Sequence, residues 1–218
     1  MEEKKEEFIA HVFDFQSRGR PDIEAFISHP QLKKYIPGSS VKGAILTAIY
    51  YRELKRKNFQ FELLDRKDAD RKKVNKQIDE IAKELGRYIM IEDIEVPSDA
   101  FIIDRNIRKR SNGKDAGRFS FLECIKPGAE FDISIHVDED KLKPSEIIDC
   151  VNEFYRRSLE KIKIFTGEIF STTKNNTMIL QIGKFGGNFT KSFSEKIPKT
   201  FALINNKPAG WVSIKFEV

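Results

Sequence analysis

Between Val41 and Lys57 the apolar residues Val41, Ala44, Ile45, Ala48 and Ile49 recur at three- and four-residue spacing, the period of one helical face. The basic tail Arg52, Lys55, Arg56 and Lys57 suits the negative end of that helix's dipole. The same period predicts a helix over residues 69–85, with Val74, Ile78, Ile81 and Leu85 on one face and Gly86 as its C-terminal stop. Another spans 144–165, where Ile148, Val151, Tyr155, Leu159 and Ile162 share a face. Phe8 to Phe15 is a short apolar run, and a short helix is expected around Ile23 to Ser28. Alternation of Phe131, Ile133, Ile135 and Val137 with Asp132, Ser134 and His136 predicts a half-buried antiparallel strand over 130–137. Further strands are expected over 87–96, ended by Pro97 and Ser98, and over 119–125, 177–182 and 211–218. Strands interrupted by helices in this way favour an α+β domain, helices packed on an antiparallel sheet.

The start of the first helix carries the most chemistry. In Tyr35 to Ala44, Y-I-P-G-S-S-V-K-G-A, Pro37 and Gly38 force a turn and Ser39 or Ser40 can accept a hydrogen bond from a first-turn N–H. Lys42 sits at the wrong end of the dipole, a mismatch of about 0.3–1 kcal/mol, and Gly43 costs about 1 kcal/mol against alanine inside a helix. An anion docked at this turn would give both residues a purpose, with Gly43 admitting a close backbone approach. The plain alternative is a capped helix with an exposed lysine and a packing glycine.

A second glycine-rich loop follows the 177–182 strand. Gly183, Gly186 and Gly187 would expose backbone N–H groups, Lys184 and Lys191 supply charge, and Phe185 or Phe189 could stack on an unpaired base. The plain alternative is a connector whose phenylalanines fold back onto the core. Charge bears on both loops through its distribution, since the formal net charge is only +5 over 218 residues. Residues 66–76 interleave Asp68 and Asp70 with their bases, as a solvated helix face does, whereas Arg105, Arg108, Lys109, Arg110, Lys114 and Arg118 face a single acid, Asp115. That basic segment reads as a long hairpin tip or finger, free to move without RNA. The 2 cysteines, Cys124 and Cys150, read as buried free thiols of a reducing compartment. No apolar run reaches membrane-spanning length, and the polar, acidic start is unlike a secretory signal, so no membrane partner and a cytoplasmic location are expected.

The Tyr35–Ala44 segment resembles the "PGSSxKGA" loop of the CRISPR-associated RAMP superfamily. That superfamily binds guide RNA through a glycine-rich loop on a ferredoxin-like, RRM-related fold. L-Q-I-G-K-F-G-G-N-F-T-K-S-F (180–193), I-P-K-T-F (197–201) and K-P-A-G-W-V (207–212), in this order, are similar to the fifth subunit of the type III-A Csm effector complex. F-L-E-C-I-K-P-G-A-E-F-D-I-S-I (121–135) resembles that family's "KPGTEF" hairpin. The resemblance runs from about Tyr35 onward and implies one RAMP-like unit over 1–218. Family members are longer and open on a strand like "TPVHIGSG"; Met1 to Pro30 shows no glycine-rich opening, so the first half is expected to be divergent or incomplete.

The resemblance implies a non-enzymatic subunit at the end of the helical backbone, holding the 3′ portion of the guide RNA (crRNA) and supporting its maturation. Gly38, Ser39, Ser40, Lys42 and Gly43 would form one RNA-facing loop, and Gly183, Lys184, Gly186, Gly187 and Lys191 a second. Its partners would be crRNA, other Csm subunits, above all the repeated backbone subunit, and host nucleases; no cofactor or metal is implied. A backbone RAMP subunit of a related type III complex is one alternative. A repeat-processing endoribonuclease is another, recognisable if His11, His29 or His136 converged with an acid or lysine beside an RNA-sized cleft; a protein-binding adaptor is a third. Neither a nucleophile elbow, a Walker loop nor a zinc signature is present. Asp99, Asp104 and Asp115 match no local metal-cleavage motif and read as solvated or arginine-paired acids.

Overall fold

The computed structural model describes residues 23–30, 33–59, 61, 76, 78–81, 83–110, 112–117, 120–166, 176–183, 193, 200–204 and 207–216. Two long helices, α1 (Gly38–Arg56) and α2 (Pro144–Thr166), pack side by side at the centre of the core. Val41, Ile45, Ala48 and Leu54 of α1 and Ile147, Val151, Phe154 and Tyr155 of α2 are all buried, as the helical period requires. Full burial of each large apolar side chain contributes about 1.5–3 kcal/mol. Polar contacts pin the pair. Tyr155 donates its hydroxyl to the Ala44 carbonyl at 3.2 Å, and burial raises the phenol pKa. Lys55 bonds Glu153 at 2.7 Å and holds its carboxyl below the ordinary range, while Arg52 lies 3.6 Å from the same group.

The strands, in chain order, are β1 (Ile23–Glu24), β2 (Tyr35–Ile36), β3 (Ile89–Ile91), β4 (Ile94–Glu95), β5 (Phe101–Arg110) and β6 (Ser120–Ile125), then β7 (Ile135–Val137), β8 (Thr177–Gln181), β9 (Thr200–Ile204), β10 (Lys207–Pro208) and β11 (Trp211–Lys215). Three antiparallel pairs, β2 with β4, β3 with β7 and β8 with β11, accompany a five-stranded sheet ordered β1-β6-β5-β9-β10. Within that sheet β5 runs antiparallel to β6 and β9, and β1 runs parallel to β6. Phe101 carries the sheet into the core, its ring 5.1 Å from that of Phe26. The expected α+β architecture, antiparallel pairing with packed helices, is what the chain forms.

Two side-chain devices tie elements together. Asn152 of α2 donates its amide N–H to the Thr177 carbonyl at 2.9 Å and accepts the Ile179 N–H at 3.2 Å, serving the main chain of β8 as a strand neighbour would. Lys34 and Glu123 form an ion pair with side chains only 9% and 4% exposed. The other Glu123 oxygen accepts the Phe26 N–H at 2.8 Å, and the Lys34 ammonium lies 5.0 Å from the centre of the Phe101 ring. This cluster holds the chain before α1 against the five-stranded sheet.

Several expected elements differ. The helix expected at Ile23–Ser28 is absent: Ile23 and Glu24 pair with Phe121 and Leu122, and Ser28 bridges to Lys34. Too short to nucleate a helix alone, the segment satisfies its backbone on β6 and Glu123 instead. The strand expected over 87–96 is split. Residues 86–88 form a 3₁₀ turn, and β3 and β4 flank Glu92 and Asp93 and take different partners. Gly86 does not adopt the left-handed stop conformation; a Cβ there would lie 3.7 Å from Leu46, so the glycine opens the 3₁₀ turn beside α1. The strand expected over 130–137 is ladder-paired only at 135–137, although Phe131 and Ile133 keep the half-buried alternation. Phe8 to Phe15, residues 69–75, Val218 and the side chain of Ile162 lie outside what is described.

Among the described residues both cysteines are free, and burial pushes each thiol up to about 11, so neither is a reactive thiolate near neutral pH. No described helix is long and apolar enough to cross a membrane.

Candidate functional site

The Pro-Gly-Ser-Ser turn opens α1 earlier than the apolar period implies. The helix begins at Gly38, with Pro37 as N-cap at φ −61°, and no side chain caps it locally. The expected Ser39 or Ser40 cap is therefore corrected. Proline's fixed φ starts the helix one residue on and leaves both serines inside its first turn. The cap comes from across the fold: Gly38 N–H donates to Asp93 Oδ1 at 2.7 Å, while the Ser40 and Val41 N–H groups reach the Pro37 carbonyl at 2.9 and 3.5 Å. Sequence reasoning missed Asp93; its one signal, a carboxylate placed near orphan helix donors, spans 55 residues.

Gly38 and Gly43 do opposite work. Gly38 is buried, and a Cβ there would run into the Ile91 carbonyl oxygen and lie 2.6 Å from that of Glu92. With its N–H taken by Asp93, it seats the turn on the β3–β4 connection. Gly43 is exposed, and a Cβ there would meet nothing within 4 Å. Its carbonyl accepts the Thr47 hydroxyl at 2.7 Å. Ser39 and Gly43, at four-residue spacing, are the open positions at the start of α1, flanked by the half-buried Ser40, Lys42 and Thr47.

Of the second loop, Gly183 is described: it follows β8, exposed, at φ +78°. Lys184, Phe185, Gly186, Gly187, Phe189 and Lys191 lie outside the described residues. Phe193, just beyond them, is buried against Tyr51 and Phe154, with ring centres 6.1 and 6.3 Å apart.

The basic segment is more regular than a free finger. Arg105 to Arg110 belong to β5: Arg105 and Asn106 pair with β6, Asn106 to Arg110 pair with β9, and the Lys109–Asp115 bridge closes the turn that follows Arg110. The candidate acids are dispersed: Asp104 accepts the Arg105 N–H at 2.6 Å, Asp115 pairs with Lys109 at 2.9 Å, and the Asp99 carbonyl accepts Lys126. His29 stacks on Tyr35, with ring centres 3.8 Å apart. His136 is exposed on β7 with Nε2 3.8 Å from Glu92, and His11 lies outside the described residues. Beside α2 and the start of β8 lies a cavity of about 640 Å³ lined by Asp149, Glu153, Arg156, Arg157, Asn152 and Thr177, a mixture of charges that selects neither sign.

The fold, packed helices over small antiparallel sheets, is shared with subunits of known structure from type III-A CRISPR complexes. A chain of the cryo-EM structure of the Csm–crRNA–target RNA ternary complex of a type III-A CRISPR-Cas system matches with a TM-score of 0.61 at 18% identity, over 89% of this chain and 75% of that one. The crystal structure of Csm5 from T. onnurineus matches with a TM-score of 0.58 at 18% identity, over 88% and 73%. No protein-family model and no curated protein sequence matches the chain. The fold expected from the motifs is thus the one found.

Proposed function

We propose that this protein is a guide-RNA-holding subunit of a type III-A CRISPR Csm complex. It caps the end of the helical backbone beside the repeated RAMP subunit, keeps the 3′ portion of the crRNA and, in the cytoplasm, presents that RNA to trimming nucleases without cutting it. The observation that carries the reading is the open start of α1, where Lys42 stands against the dipole beside the exposed, unfilled Gly43. The fold supports it, being shared with a chain of a complex that contains crRNA. A phosphate lying along Ser39 and Gly43 would balance the Lys42 charge and gain from the helix's positive end.

Two substitutions separate site from scaffold. Gly43→Ala should stabilise the RNA-free protein by about 1 kcal/mol through helix propensity, and Lys42→Ala should leave it unchanged or more stable by about 0.3–1 kcal/mol. Both should lower the RNA retained when the protein is copurified with its neighbouring subunits and the bound RNA is sequenced. Falling melting temperatures with normal RNA content would make both residues structural and sink the reading.

Purified protein incubated with labelled guide precursor and Mg²⁺ or Mn²⁺ should leave the RNA intact. Cleavage that disappears in His136→Ala would instead favour a repeat-processing endoribonuclease, since His136 and Glu92 form the nearest histidine–carboxylate couple among the described residues.

A further inference from the structure

The basic hairpin is not absorbed by the α1 site. Beyond its pairing with β6, β5 continues as a closed hairpin held by main-chain bonds: Ala116 N–H to the Arg108 carbonyl at 2.7 Å, Arg110 N–H to the Lys114 carbonyl at 2.8 Å and Gly113 N–H to the Arg110 carbonyl at 2.9 Å. This register sorts the charges by face. Lys109 and Asp115 point one way and neutralise each other. Arg108, Arg110 and Lys114 are exposed on the other face. There the neighbours on the paired strands are Ala116, Ala202 and Thr200, which bring no carboxylate. Asp104 is the next acid along that face of β5. It lies about 14 Å from Arg108 at strand rise, beyond the screening length of about 8 Å at physiological salt.

Arg108 and Arg110 are spaced about 7 Å along the strand, and Lys114 stands across from Arg110. Concentrating like charges costs the folded chain free energy unless an anion offsets it. The partner's chemistry follows from what surrounds them. A protein interface needs an apolar, well-packed centre, and this face offers alanines and a threonine. Its tip, Asn112 and Gly113, has no apolar side chain to insert between bases. Phosphate needs only cations on a firm backbone.

We propose that the β5–β6 hairpin lays its Arg108, Arg110 and Lys114 face along the phosphate backbone of single-stranded RNA. It is a second grip, separate from α1; that this RNA is the guide rests on the function proposed above. The contact reads no base and keeps its place through the main-chain register.

The test is titration of labelled polyuridylate into the protein copurified with its neighbouring subunits, using the unmodified chain and the triple variant Arg108→Ala/Arg110→Ala/Lys114→Ala. Losing three phosphate contacts should lower the slope of log affinity against log salt by about 2, so the variant's deficit shrinks roughly 20-fold between about 50 and 200 mM salt. Melting temperature should not fall, because the hairpin bonds are main-chain and removing like charges relieves repulsion. Arg110→Lys should keep the slope. Binding by the unmodified protein with an identical slope in the triple variant overturns the hairpin proposal and leaves the α1 site standing. Loss of a protein neighbour from the triple variant, with the slope intact, also overturns it and makes the face a protein contact. No binding by the unmodified assembly overturns both.

Discussion

Glu123→Ala should destabilise the protein by about 3–5 kcal/mol, the usual consequence of stranding one member of a buried ion pair. The Lys34 side chain, 9% exposed, would lose the Glu123 carboxylate it pairs with, and the Phe26 N–H would lose its acceptor. The cost therefore comes from what remains behind. Lys34→Met in the same background removes the stranded cation and should recover most of the loss. Urea denaturation of the single and double variants measures both effects. A single-variant loss under about 1 kcal/mol, within the range of exposed pairs, would show that the pair is open to water.

Gly38→Ala should cost about 1–3 kcal/mol, because the added methyl meets main-chain oxygens of Ile91 and Glu92, which cannot rotate aside as a side chain can. The shift that relieves the clash also lengthens the Gly38 N–H to Asp93 bond, and losing such a cap costs about 1 kcal/mol more. Gly43→Ala, in the same motif and with the same added methyl, carries the opposite expected sign. Thermal melts of the two variants side by side decide the matter. Equal stability of both would mean that α1 slides freely over the β3–β4 connection.

What could be read from the chain followed the range of the forces involved. The α1 and α2 helices were legible because Val41, Ile45, Val151 and Tyr155 repeat at a period that depends on near neighbours only. Likewise the alternation around Ile135 survived into the structure. The failures lie where distant partners decide. Ile23 and Glu24 became strand through β6, nearly a hundred residues on; the 87–96 strand broke because Asp93 is drawn to α1; β9 overlaps the end of the I-P-K-T-F motif, which reads only as a family match. At the site, Lys42 and Gly43 announced themselves by opposing local helix preference, and the structure leaves both accessible. Gly38 looked the same in sequence, yet its reason is a backbone pressed against it from inside.

The two contacts at Gly38, an abutting carbonyl wall and a carboxylate cap, set the position of α1 along its own axis. Lys42 lies one turn further, about 6 Å along the helix. Whatever approaches this helix end meets a backbone and a lysine base already fixed in place. The loss of freedom that such an arrangement demands is incurred once, when the chain folds, and does not recur at each encounter. Occupancy of the helix start should therefore be governed chiefly by how fast a ligand leaves.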